Sequence, residues 1–412
     1  GVAGQRRPAR NFGEADMAVI NLDHNAAMPV KKEVLDCMLP FFTEKYGNAQ
    51  SVVYEAGQVA AEALEQARSR IARLIGSDAS EIVFTSSGTE ANNFALKGIA
   101  AARAKKIGAK RIVISGIEHH SIAHSARRLS SEGYEIVQLG VDSSGLVDPA
   151  ELKKALDGEQ TCLVSIQHAN AEIGTIQNIA ALSDVAKQYE VPFHTDAVAS
   201  AGQIACRVDD LGVQAMSLAS APLGGPQGVG ALYLRKGTKA LPLLDGGVQE
   251  RGLRAGTENV PGIVGMGKAF DLADADLEQR GRALVSLRDR LIEGIRENVG
   301  HATLTGHATQ RLVGHVSVCF DFIEGEAALL YLAIKGIAAS SGSTCSSKAL
   351  KASHVLTSIG ISAELAQGSI VMSLGTDNTV EQIDFTVSSM AEVMKKLREM
   401  SPLYAKWRKE NE

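Results

Sequence analysis

The sequence predicts an α/β protein: a large domain on a mostly parallel sheet, joined to a smaller α+β C-terminal domain. Two observations predict it. From Glu81 onward short Val/Ile-rich runs alternate with amphipathic helical stretches, the signature of βαβ units. After Gly256 that alternation stops, and a long helical region leads to fewer, separated strands.

The elements follow in order. Residues 1–16 are rich in Gly, Arg and Ala without apolar periodicity and read as a flexible leader, with Met17 a plausible start. Residues 18–22 read as a short strand. A helix over about 57–74 sets Val59, Leu64, Ala67, Ile71 and Leu74 on one stripe. Strands are expected at 81–86, 111–115, 135–139, 162–167 and 192–197, with helices at 90–104, 121–131, 149–156 and 180–189 between them. A long, highly charged helical region at 260–299 then hinges the second part, with strands near 316–322 and 369–374. The expected division is 30–275 for the large domain, and 17–29 with 276–412 for the small one.

Composition narrows the function. The 412 residues carry 42 Lys+Arg against 47 Asp+Glu, a net charge of -5, which removes a general electrostatic case for nucleic acid or an anionic membrane. No apolar run approaches the roughly 20 residues of a spanning helix. Five scattered cysteines (Cys37, Cys162, Cys206, Cys319, Cys345) form no C-x-x-C pair, which argues against a disulfide framework and a structural zinc site and for a reducing cytoplasm.

Polar residues at strand ends are the candidates for chemistry. The turn Thr85-Ser86-Ser87-Gly88-Thr89-Glu90 follows a strand and opens a helix; such an N-terminus suits a phosphate, or the serine simply caps the helix. Glu118-His119, Asn170 and Asp196 also stand at or beyond strand C-terminal ends, where ligands bind in open α/β sheets. An aspartate in the apolar setting of Asp196 is costly to bury without a cation. The stretch Ser340-Ser341-Gly342-Ser343-Thr344-Cys345-Ser346-Ser347 has no apolar face, so a mobile loop with an exposed thiol is expected. The other four cysteines sit in apolar strands or helices and read as packing.

These pieces resemble the cysteine desulfurases of the NifS/IscS kind, class V aminotransferases of pyridoxal-phosphate (PLP) fold type I. The resemblance runs from Asn21 to Tyr404 through Leu22-Asp23-His24-Asn25-Ala26, the Thr85 turn, Glu118-His119, Asn170 with Glu172-Ile173-Gly174-Thr175, His194-Thr195-Asp196-Ala197, Gly225-Pro226, the segment from Arg251 to Asn259, and the Cys345 stretch. It implies that Gly88 and Thr89 hold the cofactor phosphate, with Thr257 from the second subunit of a homodimer. It implies that His119 stacks on the pyridine ring, Asp196 pairs with its nitrogen, Asn170 touches the ring hydroxyl or substrate, and Cys345 takes up sulfur as a persulfide.

The departures from the resemblance are concentrated. The run holding the family's cofactor lysine reads Ser217-Leu218-Ala219-Ser220-Ala221-Pro222-Leu223-Gly224-Gly225-Pro226, so Pro222 stands at the lysine position, Ala221 at a histidine and Ala219 at a phosphate-binding serine. Proline has no amine, so no internal Schiff base can form there. The substrate-clamping arginine is Thr376, a glutamine is Ala199, and a Thr-Thr-Pro reads Ala27-Met28-Pro29. The favoured expectation is a desulfurase-like dimer without normal desulfurase activity that offers Cys345 to an iron–sulfur scaffold or sulfur-acceptor protein, as persulfide acceptor or as a thiolate ligand of a shared cluster. A second keeps an enzyme: PLP bound non-covalently, with His120 or His168 as base. A third repurposes the pocket for another small ligand, lined by Ala199, Ala219, Ala221, Met28 and Pro222.

Overall fold

A computed structural model describes residues 19–26, 28–342 and 352–411; the expected leader, Ala27 and Cys345 lie outside the described residues. Twelve strands are present among them: β1 Ile20–Asn21, β2 Ile82–Thr85, β3 Arg111–Ser115, β4 Glu135–Leu139, β5 Thr161–Ser165, β6 Phe193–Asp196, β7 Ala215–Ala219, β8 Gly230–Leu234, β9 Ala302–Leu304, β10 His315–Phe320, β11 Ile337–Ala338 and β12 Ser369–Ser373.

Seven of them form one sheet in the order β2-β8-β7-β6-β5-β3-β4. Every pairing is parallel except the two made by β8. Successive residues face opposite sides of a strand. Accordingly Ile112 and Ile114 enter one apolar cluster, with Phe94, Leu96 and Ile122, while Val113 enters another with Ile71, Met216 and Phe270. Covering both faces explains why β5 and β8 are buried throughout, whereas β4, at the edge, is partly exposed.

The helix Glu55–Ile75 ends at Gly76, whose positive φ of 68° is an αL cap. It packs on Val260–Ala275 so closely that a Cβ on Gly267 would sit 2.6 Å from Ala67 Cα. That second helix corrects an expectation. Instead of one long charged helix at 260–299 there are two, Val260–Ala275 and Leu277–Asn298. Asp276 departs from helical geometry at φ -124°, and its carboxylate engages Arg280. The first helix buries Ile263, Met266 and Phe270 in the core and carries only Lys268, Asp271 and Asp274, so most of the charge belongs to the second.

The C-terminal part carries an antiparallel sheet, β12-β10-β9, and the parallel pair β1-β11. Leu291, Ile295, Val318, Phe320, Met372, Ile383 and Met390 form its core, together with Ile20 and Leu22 from the N-terminal end. His24 is tied in as well, its backbone N–H donating to Ser373 O at 3.2 Å.

Candidate active site

A cavity of about 560 Å³ opens at the C-terminal ends of β2, β3, β5 and β6. The turn after β2 supplies Gly88 and Thr89, the turn after β3 supplies Glu118 and His119, β5 leads to Asn170, and β6 ends at Asp196. Of the seven residues to which the resemblance gives a role, Gly88, Thr89, His119, Asn170 and Asp196 therefore meet here. Gly342 and the segment from Ala352 to Val355, on either side of the stretch holding Cys345, also line it. Thr257 is exposed and outside its own chain's cavity.

At the β2 turn the capping reading is seen directly. Ser87 caps the helix Gly88–Phe94, its Oγ accepting from Glu90 N at 3.1 Å. Gly88 meanwhile lies against Val198: a Cβ there would come within 2.4 Å of Val198 Cγ2. The Glu90 carboxylate accepts from Ser86 N at 2.7 Å and from Arg254 Nε at 2.9 Å, which ties the segment bearing Thr257 to this turn.

Asp196 is 8% exposed. Its Oδ1 accepts from Val198 N at 3.0 Å and its Oδ2 from Asn92 Nδ2 at 2.6 Å. Burial raises its pKa despite those bonds. No lysine or arginine is among the described residues lining the cavity. His119 precedes the helix His120–Ser131, and its Nδ1 accepts from Ser121 N at 3.1 Å, which leaves the ring hydrogen on Nε2.

Asn170 is largely committed to its own turn. Its Oδ1 accepts from Glu172 N and Ile173 N at 2.8 and 2.9 Å, and its Nδ2 donates to Ile117 O at 3.0 Å. One amide hydrogen remains. Two further carboxyls are buried at the cavity. Burial pushes Glu118 up to about 8, although Ser115 Oγ and Gln167 N donate to it, and pushes Glu172 up to about 7. His120 also lines the cavity; burial and the neighbouring His354, His124 and His119 depress its pKa.

Three expectations need correcting. His168 does not line the cavity: it is buried beside Ser200 Oγ at 3.0 Å, with burial depressing its pKa to about 4. Of the small or apolar replacements only Ala199 is a lining residue, because Ala221 and Pro222 form a 3₁₀ turn after β7, outside the lining. Cys206 lies in irregular chain rather than in a strand or helix, yet it is buried, and burial pushes its thiol up to about 12 as it does those of Cys162 and Cys319. Nor does any group of three or more His, Cys, Asp or Glu among the described residues gather as a metal site. No helix among them is long and apolar enough to cross a membrane.

Asn92, Ser121 and His354 were missed by sequence reasoning. Asn92 carried the one available signal, a polar residue at a helix position that otherwise reads as sheet-facing, between Ala91 and Phe94; it is 1% exposed.

A mostly parallel sheet with polar groups gathered at its strand ends defines an α/β enzyme-type fold with a cofactor-sized cavity. The sequence matches the Aminotransferase class-V family over residues 20–385. It is 48% identical over 387 residues to the cysteine desulfurase IscS of Methanosarcina thermophila, covering 94% of this chain and 95% of that protein. Against the cysteine desulfurase IscS of Dictyoglomus turgidum the identity is 45% over 389 residues, with 94% and 98% covered. Among solved structures, a NifS-like protein superposes with a TM-score of 0.85 at 35% identity, covering 92% of this chain and 100% of that one. The chain belongs to the class-V aminotransferases, in the cysteine desulfurase family of the IscS/NifS kind.

That family implies PLP, and the residues here fit its ring. A buried carboxyl without a cationic side chain suits a protonated ring nitrogen, and an imidazole beside it suits the ring face.

Proposed function

We propose that this chain is a desulfurase-like homodimer, set in the cytoplasm, that serves sulfur transfer or iron–sulfur cluster assembly by presenting Cys345 to a scaffold or acceptor protein, and that it lacks ordinary desulfurase turnover. The observation that carries this reading is the absence of lysine and arginine from the described lining of the cavity. Cysteine desulfuration on PLP needs an amine to exchange with substrate and move protons, and a cation for the substrate carboxylate. Pro222 cannot supply the first. At the second, Thr376 is exposed and its neighbour Asp377 is an acid rather than a base, in contact with His24 Nε2 at 2.9 Å. What remains for chemistry is the thiol of Cys345, and residues on both sides of its stretch reach the cavity.

The dimer is supported by the surface around Thr257. Gln50 Nε2 donates to Glu258 Oε1 at 2.6 Å, so the exposed Val52, Val53 and Tyr54 stand close to the segment carrying Thr257. Contiguous exposed apolar residues of this kind mark association surfaces. In the dimer Thr257 would reach the neighbour's Gly88–Thr89 turn.

A second reading is favoured by Asp196. PLP held non-covalently by Asp196, His119, Asn170 and the Gly88–Thr89 turn would place its electron-sink ring in the cavity. His120, a lining imidazole kept neutral by its surroundings, would be the base. One set of measurements separates the readings. The full chain is titrated with PLP and followed by visible absorbance, then assayed for sulfide release from cysteine. Cluster or persulfide transfer with an iron–sulfur scaffold is compared for wild type and Cys345→Ser. The first reading expects no sulfide release but Cys345-dependent transfer. Sulfide release that is lost in Asp196→Ala supports the second, and transfer unchanged by Cys345→Ser overturns the first.

A further inference from the structure

We infer that Asn92 and Ser121 are positioning residues: a relay that fixes the ring tautomer of His119 and the hydrogen-bonding face of Asp196 from a single amide. The relay is read from four contacts. Asn92 Nδ2 has two hydrogens; one goes to Asp196 Oδ2 at 2.6 Å, the other to Ser121 Oγ at 2.8 Å. With an Oγ lone pair so engaged, the Ser121 hydroxyl hydrogen points to His119 Nδ1 at 2.7 Å. That nitrogen already accepts from Ser121 N at 3.1 Å, so both donors require its lone pair, and the hydrogen must lie on Nε2.

The other end of the amide argues that this orientation is imposed. Asn92 is 1% exposed, and its Oδ1 has no hydrogen-bond partner. Buried polar atoms are nearly always paired, and an orphan carbonyl costs on the order of 1–3 kcal/mol. A merely structural asparagine would satisfy both ends. This one leaves its acceptor idle so that its donor can serve two partners on different elements, the end of β6 and the start of the helix His120–Ser131.

The consequence lies on the cavity side. Asp196 is held with Oδ1 on Val198 N and Oδ2 on Asn92, so the remaining lone pairs are fixed in direction before any ligand arrives. His119 is likewise held by its Nδ1 edge. The ligand-facing part of this inference rests on the reading that Asp196 and His119 meet a pyridine ring. The relay itself does not.

The test uses the ligand-free full chain. Histidine ¹⁵N shifts report the His119 tautomer, with a His119 substitution for assignment, in wild type, Asn92→Ala, Ser121→Ala and Ser121→Thr. Wild type and Ser121→Thr, which keeps the hydroxyl, should show a single Nε2–H form. Asn92→Ala and Ser121→Ala weaken or remove the 2.7 Å hydroxyl contact and leave the longer 3.1 Å backbone donor on Nδ1, so an admixture of the Nδ1–H tautomer should appear, and PLP affinity should fall about tenfold in both while Ser121→Thr stays near wild type. An unchanged His119 signal in Asn92→Ala overturns the relay. Should Asn92→Ala fail to fold, the serine pair decides alone: identical tautomers in Ser121→Ala and Ser121→Thr overturn it. Tautomer changes as expected, with no PLP uptake even by wild type, would uphold the relay and sink the cofactor reading.

Discussion

Two groups of buried charge in the large sheet are treated in opposite ways. Beside β2, Arg68 and Glu250 are 3% and 5% exposed, and each Nη donates to one carboxylate oxygen at 2.8 Å. Phe84 N also donates to Glu250, and Arg68 donates to Ile82 O. Glu250 and Arg251 adopt positive φ of 46° and 58° to deliver that carboxylate. At the other ends of the strands Asp196 and Glu118 are as deeply buried, yet only neutral donors reach them. Where charge holds the fold together, the chain supplies the counterion. At the cavity no described lysine or arginine supplies one.

The largest expected effect strikes the paired side. Arg68→Met leaves the Glu250 carboxyl in the core without its guanidinium partner, and a loss of roughly 3–5 kcal/mol in urea unfolding is expected; adding Glu250→Leu should recover most of it. No recovery in the double variant would mean that the pair is not a unit.

The unpaired side predicts a pH dependence. The pKa of Glu118 is raised by burial from 4.5 to about 8 in the folded chain. Its stabilising contribution is therefore complete below pH 4.5 and drains as pH rises to about 8. Glu172, raised to about 7, acts with the same sign. His168 and His315, depressed by burial to about 4, act only below pH 6.5, where the unfolded chain takes up protons first. Between pH 6.5 and 8.5 the carboxyls alone are left among these groups. Glu118→Gln should flatten the stability profile there by on the order of a few kcal/mol, measured by urea midpoints.

Asp196→Asn is smaller and reads the ligand directly. Losing a charge-assisted hydrogen bond worth roughly 1.5–3 kcal/mol should weaken PLP binding about ten- to a hundredfold, without lowering the stability of the ligand-free chain. Equal affinity in the variant would mean that the buried carboxyl does not face a cation. The smallest effect tests the packing beneath the turn. Gly88→Ala should cost about 1 kcal/mol against Val198 and be rescued by Val198→Ala, read in thermal melts.

The same contrast explains what the sequence disclosed. Strands β3 and β4 match their expected bounds because β-branched residues cluster in them, and Asp196 stood out because an acid in an apolar run demands a partner. β7 and β8 were not expected at all: Ala-Met-Ser-Leu-Ala and Gly-Ala-Leu-Tyr-Leu are poor in β-branched residues, and they become strands through the neighbours that enclose them. The break at Asp276 was hidden because the residues on both sides favour helix. The partners of Asn92 were hidden for another reason: they lie 29 and 104 residues away, a separation that no local pattern encodes.

The pairing of β1 with β11, and of His24 with Ser373 across 349 residues, also sets a schedule. At ribosomal rates of roughly 5–20 residues per second, residues 20–25 wait on the order of tens of seconds before their partners exist. Throughout that interval Ile20 and Leu22 have no core to enter. The large sheet, whose strands are complete by Leu234, can assemble meanwhile, so Asn25 joins the cavity among the last of its lining residues. The beginning of the chain is thus among the last parts of the molecule to be finished, and a nascent chain stalled before Ser373 would hold a formed sheet around an unfinished site.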